Sequence, residues 1–186
     1  MSSDNEGFKK SCEDCDGCED CKSFFWFRVS SCPQGPTVPQ DVPEPPPVFT
    51  PVYGSLYHNL AGVPAVPGTN VDFDTVGPSS GVTLDIIDDS ITVNSSGIYT
   101  ITFSTSVNGS GAVGHTIDFN LSINGIPDST KRTVYQTQGT GGVTEISMLS
   151  RTDQLMLNQG DVIRIIIAAA FSAAYESSAL VVTKVA

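Results

Sequence analysis

From residue 53 onward the hydrophobic positions recur in steps of two, and turn residues interrupt them at short intervals. The clearest run is 117–123. Ile117, Phe119, Leu121 and Ile123 fall on one side, and Asp118, Asn120 and Ser122 on the other. That alternation predicts a half-buried strand. It ends at Asn124-Gly125, the preferred pair of a two-residue type I′ hairpin. Tyr99, Ile101 and Phe103 alternate in the same way with Thr100, Thr102 and Ser104. Further strands are predicted over 53–60, 82–87, 90–93, 131–137, 143–149, 155–157 and 179–185. Residues 61–81 are rich in Gly and Pro and read as loop, with a short extended piece at 71–73. The alanines of 167–175 suit a helix, but they continue an isoleucine-rich strand, which favours strand and loop. Eight to ten short strands and no convincing helix predict an all-β sandwich.

The segment 161–171 departs from the simple pattern. Ile163, Ile165, Ile167, Ala169 and Phe171 fall on one face by period two. Val162, Ile166, Ala168 and Ala170 fall on the other, with Arg164 the only charge. A sandwich strand normally keeps one face wet. A strand that is apolar on both faces needs a cover, either a second copy of the chain or the loop at 61–81. Self-association is the favoured reading. It puts Ile163, Ile165, Ile166, Ile167 and Phe171 at a trimer interface.

The first 52 residues are of another kind. All five cysteines lie there, at Cys12, Cys15, Cys18, Cys21 and Cys32. Eight of the twelve prolines follow between Pro33 and Pro51. The division is 1–32, a disordered acidic Cys-rich tail; 33–52, a Pro-rich spacer of polyproline II character; and 53–186, a globular head. Charged residues make up 16% of the chain, against the usual ~25%. The surface must therefore be built largely from Ser, Thr, Asn and Gly. The net charge of −11, with no basic patch visible in either part, argues against nucleic acid and disfavours an anionic membrane surface. The acidic start, Met1-Ser2-Ser3-Asp4, lacks the basic and apolar regions of a signal peptide, so synthesis in the cytosol is expected.

Candidate chemistry is sparse. The spacing of Cys12, Cys15, Cys18 and Cys21 approaches the ferredoxin run C-x2-C-x2-C-x3-C-P, but the last gap is two and no proline follows. Structural zinc remains open, although three short uniform gaps suit it poorly. Disulfide crosslinking is favoured, since an odd count leaves one thiol for another chain. The acidic neighbours Glu13, Asp14, Asp16, Glu19 and Asp20 disfavour the thiolate and slow its oxidation. Phe24, Phe25, Trp26 and Phe27 read as a docking peptide for a partner. Asp85, Asp88 and Asp89 are weak candidates for a metal, and a solvated turn is the favoured alternative because no Asp-x-Asp-x-Asp-Gly loop is present. His58 and His115 have no cysteine or Gly-x-Ser-x-Gly elbow to work with, so no catalytic triad is supported and no cofactor is expected.

Three ordered stretches resemble the trimeric C1q/TNF-like jelly rolls: Gly97-Ile98-Tyr99-Thr100-Ile101-Thr102-Phe103, Leu121-Ser122-Ile123-Asn124-Gly125, and Leu157-Asn158-Gln159-Gly160-Asp161-Val162-Ile163. The resemblance covers about 53–186. It implies a jelly-roll sandwich, a homotrimer and a non-enzymatic role. Within that superfamily the head is most similar to the exosporium proteins of Bacillus-type spores, which are collagen-like hair tips or basal-layer anchors. Gly35-Pro36-Thr37-Val38-Pro39 is similar to the leader of the hair proteins, although collagen repeats are lacking here. The implied role is structural attachment at the spore surface, to other exosporium or coat proteins or appendage fibres. The alternative is a tip that binds a receptor or glycan. A protein assembled from the mother-cell cytosol would need no signal peptide.

Overall fold

The computed structural model describes residues 50–59, 62–109, 114–138 and 144–186. The expectations placed on the five cysteines and on Phe24, Phe25, Trp26 and Phe27 lie outside the described residues, as does all of the proline spacer before Thr50. Among the described residues there is no helix.

Eleven strands follow in order: β1 (Tyr53–Tyr57), β2 (Val63–Pro64), β3 (Thr75–Val76), β4 (Val82–Asp85), β5 (Ser90–Val93), β6 (Gly97–Gly109), β7 (His115–Ile123), β8 (Ile126–Thr137), β9 (Glu145–Leu157), β10 (Val162–Phe171) and β11 (Ala173–Lys184). They form two antiparallel sheets. The first runs β3-β1-β11-β6-β9, with β2 added beside β11; the second runs β4-β5-β10-β7-β8. Sequence neighbours such as β9 and β10 therefore lie in different sheets, and the chain repeatedly crosses between them.

Alternation drives the packing. Tyr99, Ile101, Phe103 and Val107 of β6 face Ile117, Phe119 and Leu121 of β7 across the gap, all nearly inaccessible to solvent. Phe103 and Phe119 meet at 5.2 Å in a tilted pair, and Tyr175 meets Phe119 edge-on at 6.1 Å. Each of these side chains contributes about 1.5–3 kcal/mol by leaving water. The hairpin between β7 and β8 has φ of 54° at Asn124 and 79° at Gly125, the left-handed pair that type I′ requires. The Asn124 side chain also fastens it to β10: its Nδ2 donates to Asp161 Oδ1 (2.8 Å), and its Oδ1 accepts from Val162 N (2.9 Å).

Two elements differ from the sequence pattern. The segments 143–149 and 155–157 are parts of one long strand, β9, paired with β6 without a break from Leu157 to Glu145. Its inward side includes Arg151 and Asp153, joined by two hydrogen bonds of 2.6 and 2.8 Å, while Ile146, Met148 and Met156 point outward. This inversion conceals its continuity. The last strand also begins earlier than the pattern at 179–185 indicates. β11 includes the buried Tyr175 and passes a bulge between Glu176 and Ala179.

Candidate interaction face

The strand registers divide each sheet into an inner and an outer face. In the first sheet the outer face carries Ile98, Thr100, Thr102, Ser104 and Ser106 of β6. Beside them lie Val181, Ala179 and Thr183 of β11, Tyr53 and Tyr57 of β1, and Ile146, Met148 and Met156 of β9. Glu176 is its only charged residue in these registers. The outer face of the second sheet carries Asp85, Asp118, Arg132 and Arg164, with Asp118 and Arg132 3.7 Å apart and Arg164 paired with Asp88. The two faces of one sandwich thus differ sharply in charge.

Polar groups on the first face are partly satisfied within it. The Thr102 and Thr152 hydroxyls share a hydrogen bond of 2.9 Å across the β6–β9 pair. Gln154 Nε2 donates to Thr100 Oγ1 at 3.4 Å. Hydroxyls already paired cost less to remove from water. The rim strand β9 exposes 84% of Met148 and 69% of Met156. Such a surface, low in charge and edged with flexible thioethers, has the composition of a protein–protein contact.

The residues singled out on β10 divide differently from the alternation read in sequence. Ile163, Ile165 and Ile167 point between the two sheets and are buried against β5, β6 and β7 of the same chain. None of the three offers its side chain to a second molecule, which corrects their placement at an interface. A bulge between Ile167 and Ala169 then shifts the register by one residue. It turns Phe171 onto the outer face beside Thr116, 61% exposed, instead of onto the face of Ile163. Ile166 is half-buried on the outer side of the second sheet.

Asp85, Asp88 and Asp89 act separately. Asp85 Oδ1 accepts from Ile87 N (2.8 Å) and Asp88 N (3.1 Å), closing the turn between β4 and β5. Asp88 pairs with Arg164, and Asp89 Oδ1 accepts from Phe73 N at 2.8 Å. Among the described residues no cluster of His, Cys, Asp and Glu is arranged to hold a metal. His115 is buried, with Nδ1 2.6 Å from Ser172 O. His58 is buried 3.4 Å from Asp74, a contact that carries no sequence signature. A shallow cleft of ≈390 Å³ opens at one end of the head between Pro64, Asn108, Ser172 and Ala174.

No protein-family model and no curated protein matches the chain. Among solved structures it is similar to Eiger TNF from S. frugiperda, with a TM-score of 0.59 and 16% identity over 73% of this chain and 93% of that one. It is also similar to the globular domain of zebrafish complement 1qA, with a TM-score of 0.53 and 17% identity over 73% of this chain and 98% of that one. The head is therefore a jelly-roll sandwich of the C1q/TNF type.

Proposed function

We propose that this protein is a non-enzymatic attachment module of the spore surface. Copies associate as a homotrimer through the outer face of the first sheet, and the Cys-rich tail fixes the assembly into a protein layer or onto an appendage fibre. The observation that carries the association is the contrast between the two outer faces, one with Glu176 as the only charge in its described strand registers and the other with two Asp and two Arg. The trimer and the spore-surface setting follow from the resemblance of the head and its proline leader. Light scattering on the full-length chain with its thiols kept reduced tests the association. Three times the 19.6 kDa of one chain is expected. Val181→Arg, in the middle of the face, should reduce this to one chain, because an unpaired charge there must be desolvated. A single-chain mass for the unaltered protein would refute the reading.

The end cleft beside Asn108 and Ser172 favours a second reading, a tip that binds a receptor or glycan. Removing residues 1–52 distinguishes the two. An anchored protein loses its location on the spore, whereas a binding tip keeps its ligand.

A further inference from the structure

Residues 66–76 form a strap that leaves one sheet and joins the other. Gly68 N and Val71 N donate to Ile167 O (2.7 Å) and Ile165 O (2.8 Å) of β10, and Ile167 N donates back to Thr69 O (2.9 Å). Further along, Asp74 N donates to Tyr57 O of β1 at 3.0 Å. Between these anchorages side chains hold the backbone. Asp72 N donates to the Tyr175 hydroxyl (3.0 Å), and Phe73 N donates to the Asp89 carboxylate (2.8 Å). Val71 and Phe73 are buried, so the strap cannot lift without opening the core.

Titratable groups surround this crossing. His58 is 1% exposed, and its Nδ1 lies 3.4 Å from Asp74 Oδ2 and 3.9 Å from Asp72 Oδ2. Neither ring nitrogen has a hydrogen-bond partner among the described residues. Asp89 reaches the strap from the other sheet. Burial pushes its carboxyl up to about 6, against the Phe73 N–H that lowers it, and Asp72, Asp88 and Asp85 add repulsion. Arg164 is already paired with Asp88. Burial also raises Tyr175, which keeps its hydroxyl neutral as the acceptor for Asp72 N–H.

We propose that residues 66–76 are a proton-controlled latch, closed over the sandwich when Asp89 carries a proton and loosened when it loses it. The sign follows from linkage. Asp89 has an ordinary value of 3.8 when released and about 6 when the strap is shut. Closing therefore takes up a proton. The contribution is fully present below 3.8 and is lost as pH rises through about 6. Because Asp89 is partly exposed, solvent screens part of the effect. The latch is independent of whether copies of the chain associate.

Hydrogen exchange on the full-length protein at pH 5 and pH 7.5, with rates corrected for intrinsic exchange, tests the latch. Protection of the Asp72 and Phe73 amides should be roughly tenfold lower at the higher pH, while β6 amides stay unchanged. Asp89→Asn keeps the acceptor oxygen and tolerates the φ of 50° at that position. It should remove most of the difference. Equal protection at the two pH values in the unaltered protein, or an undiminished difference in Asp89→Asn, would overturn the proposal.

Discussion

Gly125 shows how far a single residue can be read before its surroundings are known. Its φ of 79° follows Asn124 at 54°, and both are foreshadowed by the Asn-Gly pair at the end of an alternating run. Space is open around the position, so replacement is a matter of backbone strain alone. Gly125→Val forces a β-branched residue into the left-handed region at a cost of about 1–2 kcal/mol or more. The melting temperature should fall by several degrees, measurable by circular dichroism. His58, Tyr175 and Asp89 were not legible in this way. Their neighbours Asp72 to Asp74 lie far from Tyr175 in sequence, and only the closing of the sandwich brings them together. Asp85, Asp88 and Asp89 look alike as a cluster, yet one caps a turn, one holds Arg164 and one holds the strap.

Among the elements, β7 was legible because its inward positions are aliphatic or aromatic and its outward ones polar. β9 was not, because its inward positions include Arg151 and Asp153 and its outward ones Met148 and Met156. An ion pair made within the strand lets two charges occupy half-buried positions. β10 carried a true signal with a misleading continuation. Its isoleucines are core residues of one sandwich, and a bulge that sequence does not announce turns Phe171 away from them. Its edge beyond β5 is paired in part by the strap at 68–71. A direct consequence is that Ile166→Asp, on the second sheet, should leave the assembled mass unchanged, whereas Val181→Arg on the first should not. Light scattering on the two variants side by side checks this, and dissociation by Ile166→Asp alone would move the interface to the opposite sheet.

At the scale of the molecule, all five cysteines precede residue 33 and none lies in the sandwich. The head is built without a disulfide, so thiol chemistry is left to the tail. Under the attachment reading, extraction of the full-length protein from intact spores should require a thiol reductant, while a chain lacking residues 1–52 should extract without one. Crosslinks should accumulate over hours after exposure to air, because the acidic surroundings slow thiolate attack. Free protein released by detergent alone, with all its thiols open to alkylation, would contradict the crosslinking role.

The association of heads through the first sheet is open to one direct measurement. Met148 and Met156 are 84% and 69% exposed in a single chain, and both stand on the proposed contact. Peroxide footprinting of the full-length protein, its thiols alkylated beforehand, reads their accessibility by mass. The expected result is slow oxidation of both methionines in the unaltered protein and fast oxidation in Val181→Arg. Fast oxidation in both proteins would show that this face is open to solvent and would contradict the assembly described here.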